Sequence, residues 1–251
     1  MKVGVVIPVY NEANKLPRSL SILSHFLSQH FPFDYELIIA DNGSTDRTLE
    51  IAQALRQQYP ALKVLHFDQK GRGGALKAAW LASNADILSY MDVDLSTDLS
   101  AFPNLCRALI DQQFDLAIGS RLLPQSRTTR CFRRERLSRV YNRLLQVLLQ
   151  VHFSDAQCGF KAITRSAALQ LLPLVDDTHW FFDTELLVLA EKFGYRLCEI
   201  PVTWVENPDS RVRIFQTILQ DLKGIIRLKR HLQKGKYDLQ IFHQSKPAKA
   251  C

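Results

Sequence analysis

Apolar segments that alternate with helical patterns constrain the first ninety residues of this chain more than any other feature. Val3–Val9, Tyr35–Ala40, Leu62–Phe67 and a segment ending at Asp92 are mostly apolar, as expected of strands buried on both faces. Apolar residues at three- and four-residue spacing follow, which indicates amphipathic helices. This alternation predicts an α/β fold with a mainly parallel central sheet flanked by helices.

Polar side chains stand where these strands end. Tyr10, Asp41, Asp92 and Asp94 all occupy such positions. In parallel α/β sheets, ligands bind beyond the carboxyl ends of the strands. The sequence therefore predicts a ligand site at this edge of the sheet.

The segment Asp92-Val93-Asp94-Leu95-Ser96 carries the strongest chemical signal. On an extended backbone, residues i and i+2 point to the same side, so the two carboxylates lie together and repel each other. A divalent cation removes that repulsion, and oxygen ligands suit Mg²⁺ or Mn²⁺. Its open coordination positions can accept a diphosphate. The alternative interpretation is a solvated acidic turn.

Basic residues are concentrated in one part of the chain. The formal net charge is +7, and residues 127–143 contain only one acid, Glu135. The seven arginines of this stretch are Arg127, Arg130, Arg133, Arg134, Arg136, Arg139 and Arg143. Such a patch suits phosphates, nucleic acid or an acidic membrane surface.

The cysteine pattern bears on the cellular compartment. The chain has five cysteines at wide spacing and no C-x-x-C, which favours a reducing compartment over a disulfide framework. The first strand begins almost at Met1, so we expect no signal peptide. No apolar run reaches 18 residues, so we expect no membrane-spanning helix. These features favour a cytoplasmic location.

Further elements extend the α/β pattern and lead to a basic helical end. The predicted elements are a strand at 115–119, a helical face over 137–151, a short strand at 160–163, a helix at 182–193 with Gly194 as its C-cap, a strand at 196–204 and an amphipathic helix at 212–232. We interpret residues 1–210 as one catalytic domain and residues 211–251 as a basic amphipathic helix with a tail.

Several motifs together are typical of a known family. The sequence lacks G-x-G-x-x-G and G-x-x-x-x-G-K-[ST], which disfavours dinucleotide-binding and P-loop domains. Instead, Val6-Ile7-Pro8-Val9-Tyr10-Asn11-Glu12, Asp41-Asn42-Gly43-Ser44-Thr45-Asp46 and Asp92-Val93-Asp94 resemble family-2 glycosyltransferases of the GT-A fold. Gly119-Ser120-Arg121, Asp155-Ala156-Gln157-Cys158-Gly159-Phe160-Lys161 and Trp180-Phe181-Phe182-Asp183-Thr184-Glu185 look like the branch that glycosylates dolichyl and polyprenyl phosphates.

The resemblance implies a nucleotide-diphosphate sugar as donor, either a UDP-sugar or GDP-mannose, with UDP-glucose as the first expectation. The residues implied in donor binding are Pro8, Tyr10, Glu12, Asp41, Gly43, Gly73, Lys77, Asp92, Val93 and Asp94. Asp92 and Asp94 are the expected ligands of Mg²⁺ or Mn²⁺, with Ser96 as a further oxygen ligand.

The acceptor implied by the resemblance is a polyprenyl or dolichyl phosphate. This phosphate is already an anion at pH 7, so it needs cations that hold it in line more than it needs a general base. The candidate phosphate ligands are Arg121, Arg130, Arg133, Arg134 and Arg211. Asp155 and Gln157 are expected near the sugar. Single displacement by the phosphate inverts an α-linked donor and gives a β-linked product.

Other interpretations of the same features stay open. The segments 137–151 and 212–232 combine apolar faces with basic flanks, which fits peripheral contact with the cytoplasmic face of a membrane or simple packing on the sheet. A soluble glycosyltransferase with a hydroxyl acceptor would need a positioned base. A nucleic-acid-binding module is disfavoured, because the arginines are not interleaved with stacking aromatics.

Overall fold

A seven-stranded sheet forms the centre of the computed structural model, which describes residues 1–207 and 214–237. Its strands are β1 Lys2–Val9, β2 Asp34–Asp41, β3 Leu62–His66, β4 Ile87–Met91, β5 Leu116–Ser120, β7 Phe160–Thr164 and β8 Leu197–Pro201. A separate two-stranded ribbon pairs β6 Arg127–Thr129 with β9 Thr203–Val205. The order in the large sheet is β3-β2-β1-β4-β7-β5-β8.

Helices cover both faces of this sheet. They are α1 Leu16–His30, α2 Thr48–Leu55, α3 Arg72–Ala82, α4 Phe102–Ile110, α5 Phe132–Leu149, α6 Arg165–Leu171, α7 Phe182–Lys192 and α8 Ile214–Gln233. The predicted α/β fold with a mainly parallel sheet is confirmed. None of these helices, within the described ranges, is long and apolar enough to cross a membrane.

Strand β7 is the exception to the parallel arrangement. It lies antiparallel between β4 and β5, with Met91 opposite Phe160. The loop that precedes β7 therefore meets the carboxyl end of β4, where Asp92 follows. The reversed strand thus delivers residues 155–159 to the edge at which the sequence predicts the site.

Alternate residues of the strands fill two cores. Val5 and Ile7 of β1 pack with α1 on one face, whereas Val6 packs with α3 on the other. Helix α8 adds Ile225 and Leu228 to the second core. The C-terminal helix α8 is therefore packed against the core rather than held apart from it.

Some predicted elements differ in their details. The predicted strand at 196–204 is divided into β8 and β9, which lie in different sheets. Helix α5 begins at Phe132, earlier than the apolar pattern indicated, so it includes much of the arginine-rich stretch. Asn11 has the residue type of a helix cap and precedes α1, but the cap position is Lys15, and Asn11 Oδ1 instead accepts a hydrogen bond from Thr45 N at 2.7 Å.

Candidate active site

The two predicted metal carboxylates lie together in a small pocket at the carboxyl end of β4. Asp94 Oδ1 accepts a hydrogen bond from Ser96 N at 3.1 Å, in a turn where Leu95 has a φ of 49°. The side chains and backbone that line the pocket belong to Met91, Asp92, Asp94, Leu95, Ser96, Thr97, Gly159 and Trp204. The predicted triplet of Asp92, Asp94 and Ser96 is thus brought to one place.

Gly159 closes this pocket against Asp92. Its carbonyl accepts a hydrogen bond from Asp92 N at 3.1 Å. A Cβ atom at position 159 would overlap the Asp92 carboxylate. The glycine therefore makes room for the carboxylate.

Arg72, at the start of α3, holds Asp92 from the side and was missed in the sequence. Its guanidinium contacts Asp92 Oδ1 at 2.8 Å and Asp183 Oδ2 at 2.7 Å. It also lies over the rings of Tyr90 and Trp180, at 5.0 and 5.1 Å from their centroids. The glycine-rich segment Gly71-Arg72-Gly73-Gly74 thus contributes a cation to the site.

A buried polar network stands behind Arg72. Asp183 also pairs with Lys161 Nζ at 3.1 Å and accepts a short hydrogen bond from the Tyr90 hydroxyl. Burial alone would raise the pKa of Asp183, but Lys161 and Arg72 outweigh it and the pKa is lowered. Burial and the nearby Asp183 raise the pKa of Tyr90 well above its usual range. The network keeps Asp183 ionised as the second anchor of Arg72.

The donor atoms at this site fit a hard divalent cation. Asp92 and Asp94 supply carboxylate oxygens, and Arg72 contacts only Oδ1 of Asp92. In the described part of the chain, no group of three or more His, Cys, Asp or Glu side chains is placed to hold a metal ion. With two protein carboxylates, the remaining ligands of a Mg²⁺ or Mn²⁺ ion would be phosphate oxygens and water.

Asp41 lies at the same edge of the sheet, where it is the last residue of β2. It is fully buried, and its Oδ2 lies 2.6 Å from His66 Nδ1. Its Oδ1 is also buried and lacks a hydrogen-bond partner among the described residues. Nearby, Lys70 Nζ lies 3.8 Å above the centre of the Tyr10 ring. The unpaired oxygen of Asp41 suits a donor group on a ligand, such as an N–H group of a base.

The other predicted donor residues have well-defined structural settings. Gly43 has a φ of 67°, which favours glycine. Gly73 packs so closely that a Cβ atom would overlap Phe182. Lys77 Nζ donates to the carbonyl of Val175 at 3.0 Å. Pro8 and Val93 are buried, and Glu12 N donates to Thr48 Oγ1 at 2.8 Å.

Arg121 and Asp155 form a buried ion pair. The side chain of Arg121 donates to both oxygens of Asp155, at 2.7 and 2.8 Å, and its backbone N–H donates as well at 3.0 Å. Burial would raise the pKa of Asp155, but the Arg121 guanidinium outweighs it and lowers the pKa. Asp155 is therefore suited to orienting Arg121 and is a poor proton acceptor.

Trp204 lies beside this pair and also lines the pocket of Asp92 and Asp94, and the sequence pattern gave no sign of it. The Arg121 and Arg130 guanidinium carbons lie 5.4 and 6.0 Å from the centre of its ring. Arg134 pairs with Glu206 at 2.6 Å, while Arg133 is exposed. Arg211, the fifth predicted phosphate ligand, lies outside the described residues.

Gln157 and Cys158 follow Asp155 in the loop before β7. Gln157 Nε2 donates to Asp221 Oδ2 of α8 at 2.8 Å. Cys158 is fully buried, and burial raises the pKa of its thiol to about 12. A buried thiol with a raised pKa is typical of a core residue rather than a nucleophile.

Comparison with known proteins places the chain in a family. The model of glycosyl transferase family 2 matches residues 4–172. The chain is 31% identical to human dolichyl-phosphate beta-glucosyltransferase, over 95% of this chain and 78% of that protein. It is 38% identical to glycosyltransferase AglD of Haloferax volcanii over 90% of this chain, although it spans only 37% of that longer protein. The chain belongs to glycosyl transferase family 2, and the predicted family is confirmed.

Solved structures agree with this fold. Glucosyl-3-phosphoglycerate synthase from Mycobacterium tuberculosis, in complex with UDP, matches with a TM-score of 0.68 at 20% identity, over 91% of this chain and 80% of that chain. The mannosyltransferase PcManGT from Pyrobaculum calidifontis, in complex with GDP-Man and Mn²⁺, matches with a TM-score of 0.59 at 20% identity, over 90% and 64%. The chain therefore has the predicted GT-A fold.

Proposed function

We propose that this chain transfers a hexose from a nucleotide-diphosphate sugar to a polyprenyl or dolichyl phosphate. The first candidate donor is UDP-glucose, and the product is a β-linked glycosyl phospholipid. The names of the relatives support this choice, because the human and Dictyostelium discoideum proteins are dolichyl-phosphate beta-glucosyltransferases. The chain spans 73% of the latter's length at 30% identity.

The observation that carries the proposal is the position of Trp204. Trp204 lines the pocket of Asp92 and Asp94, and its ring lies next to the guanidinium groups of Arg121 and Arg130. A carboxylate pair suited to a metal–diphosphate thus stands beside two guanidinium groups suited to a second phosphate. Both substrates of the proposed reaction carry phosphate groups: a cation held by the two carboxylates would neutralise the diphosphate, and the two guanidinium groups would neutralise the acceptor phosphate.

The proposed chemistry is a single displacement. A phosphate oxygen of the acceptor bonds to the anomeric carbon while the bond from that carbon to the nucleotide diphosphate breaks, so the configuration inverts. A Mg²⁺ or Mn²⁺ ion held by Asp92 and Asp94 would supply Lewis-acid stabilisation of the leaving diphosphate. Arg121, fixed by Asp155, orients the acceptor phosphate. The low pKa of Asp155 fits an acceptor that has no proton to remove.

Named ligands of the structural neighbours support the donor and the metal. One structure of glucosyl-3-phosphoglycerate synthase contains Mn²⁺ and UDP-glucose, whereas the Pyrobaculum mannosyltransferase contains Mn²⁺ and GDP-Man. Both donor classes therefore belong in the test of this chain. The relatives named as glucosyltransferases favour UDP-glucose.

We further propose that α5 and α8 attach the protein to the cytoplasmic face of a membrane. On α5, exposed apolar and basic residues alternate along one face, namely Phe132, Arg136, Val140, Arg143 and Val147. On α8, the exposed residues include Leu219, Lys223, Ile226 and Arg230. The two helices pack against each other, so these faces can act as one interfacial surface.

The decisive experiment is a donor and acceptor panel. UDP-glucose, UDP-galactose, GDP-mannose and UDP-N-acetylglucosamine are each incubated with Mg²⁺ or Mn²⁺ and a short polyprenyl phosphate, and glycolipid is measured by mass spectrometry. We expect transfer from UDP-glucose and a β-configured product by NMR. Transfer only to sugar or small-molecule hydroxyls would overturn the proposed acceptor, and a product of retained configuration would overturn the single displacement.

A further inference from the structure

Helix α8 places a carboxylate, Asp221, against the loop that carries Gln157. The side chain is 3% exposed, and its Oδ2 accepts the hydrogen bond from Gln157 Nε2. Its Oδ1 is also buried and has no hydrogen-bond partner within the described residues. A buried carboxylate oxygen without a hydrogen-bond partner destabilises the fold. Such a residue calls for a reason beyond packing.

Asp221 is not needed to dock α8 onto the rest of the protein, because other residues provide that docking. Arg227 pairs with Glu185 at 2.8 Å, and Lys236 pairs with Asp176 at 2.5 Å. Ile225 and Leu228 are buried in the core. No ion pair within residues 1–207 and 214–237 includes Asp221.

The surroundings of Asp221 also oppose its charge. Burial raises its pKa to about 7, the hydrogen bond from Gln157 offsets part of this effect, and the like charges of Asp177 and Asp183 add to it. Tyr141 of α5 is close enough for Asp221 to contribute to its raised pKa. An ionised Asp221 is therefore a cost to the fold, which is typical of a residue kept for function.

The hydrogen bond fixes which end of the Gln157 amide is free. An ionised carboxylate only accepts hydrogen bonds, so it selects the NH₂ group of the amide. The Gln157 backbone N–H is held separately by Asp155 Oδ1 at 3.3 Å. This leaves Gln157 Oε1, an acceptor that suits a sugar hydroxyl, together with the second N–H of the amide.

We propose that Asp221 is a positioning residue for recognition of the donor sugar, because it holds the Gln157 amide with Oε1 presented to a hydroxyl of the transferred hexose. This inference rests on the proposed function and on the expectation from the sequence that Gln157 lies near the sugar. It assigns α8 a part in donor selection as well as in membrane contact.

The test measures the sugar increment, defined as the Kd for the nucleotide diphosphate divided by the Kd for the nucleotide sugar. It uses calorimetry at pH 8, where Asp221 is ionised, with Mn²⁺ and no acceptor. The pairs are UDP with UDP-glucose and GDP with GDP-mannose. The proteins are wild type, Asp221→Asn, Gln157→Glu, the double variant and a control, Asp176→Asn. The control removes an acid that docks α8 at its other end.

We expect Asp221→Asn to reduce the increment about fivefold, which corresponds to the loss of one hydrogen bond worth about 1 kcal/mol, with the nucleotide Kd preserved and no fall in the melting temperature. Gln157→Glu alone sets two carboxylates together and reduces it as well. The double variant restores the donor–acceptor match, so its increment returns to within about threefold of wild type.

Four results would overturn the inference: an unchanged increment in Asp221→Asn, no recovery in the double variant, an Asp221→Asn protein that melts well below Asp176→Asn, or no increment in wild type with either pair. A wild-type increment without transfer to polyprenyl phosphate contradicts the proposed acceptor alone. The two proposals can therefore fail separately.

Discussion

At the scale of single residues, Arg72 links two carboxylates that are ninety-one positions apart in the sequence. Asp92 is about half exposed at the pocket, whereas Asp183 is buried and already paired with Lys161. The planar guanidinium can serve both carboxylates at once, which an ammonium group does less well. Arg72 thereby fixes the orientation of a carboxylate that we propose to hold the metal.

Arg72→Lys tests this positioning role. A lysine ammonium group contacts two carboxylates less well than a guanidinium group does, so Asp92 is left free to rotate. We therefore expect kcat to fall by about tenfold or more. The apparent Mn²⁺ affinity, measured by electron paramagnetic resonance in the presence of UDP, should also fall. Arg47→Lys makes the same change in an exposed pair with Glu50 and serves as the control. Equal activity in the two variants would contradict the prediction.

Asp94→Asn tests the proposed metal site. Loss of one of two carboxylate ligands should lower turnover by about 100-fold or more, with an unchanged circular dichroism spectrum. Asp86→Asn is the matched control, because Asp86 accepts a hydrogen bond from Lys2 N at the other end of the strands. Full turnover of Asp94→Asn at saturating Mn²⁺ would exclude the assigned role.

Site residues that directly follow a strand could be predicted from the sequence. Site residues whose position depends on tertiary packing could not. Asp41, Asp92 and Asp94 directly follow apolar segments, so a parallel sheet brings them to one edge. Arg72 and Trp204 reach the site through the seating of α3 and the division of the last strand, which local patterns do not encode. Asp221 was hidden because a single acid in an amphipathic helix is ordinarily taken as part of its polar face.

At the scale of elements, the first four strands and the helices between them followed from periodicity alone. Strand β7 was predicted as a short strand, but its antiparallel direction and central place depend on long-range pairing that a sequence pattern does not reveal. The outer face of α5 is another case, because Leu137 and Val140 belong to the apolar pattern and yet are 37% and 66% exposed.

Asp221→Asn should change how stability depends on pH. The folded-state pKa of about 7 lies above the unfolded value near 3.9, so native Asp221 retains a proton that the unfolded chain has lost between these values. Stability from this group therefore falls as pH rises through that window. Urea unfolding at pH 5 and pH 8 should show the variant gaining about 1–3 kcal/mol on wild type at the higher pH. An identical difference at both pH values would refute this.

At the scale of the whole molecule, donor and membrane functions are assigned to adjoining surfaces. The inner faces of α5 and α8 contribute Leu145, Leu149, Ile225 and Leu228 to the core, while their outer faces combine exposed apolar and basic side chains. Both alternatives weighed for these segments, packing and interfacial contact, can therefore hold for the same helix. The packing is observed in the structure, and the membrane contact is our proposal.

Vesicle binding tests the surface. The protein should sediment with vesicles rich in phosphatidylglycerol at low salt, less so with neutral phosphatidylcholine, and binding should weaken as salt screens the basic residues. Val140→Glu with Ile226→Glu should reduce binding about tenfold, since each change removes apolar contact and adds negative charge. Ile22→Glu, on the exposed side of α1, is the control. Equal sedimentation of all three proteins would exclude this surface.

The reversal of β7 has a consequence for how such an enzyme can diversify. Because β5 ends and β7 begins at the same rim, the stretch from 121 to 159 leaves the sheet and returns to it without altering the strand order. This excursion holds Arg121, Arg130 and the loop with Asp155 and Gln157, whereas Asp41 and Asp92 lie before it. An ancestral scaffold could therefore exchange one insert and so alter the residues that we propose for the sugar and the acceptor phosphate, while Asp41, Asp92 and Asp94 stay in place.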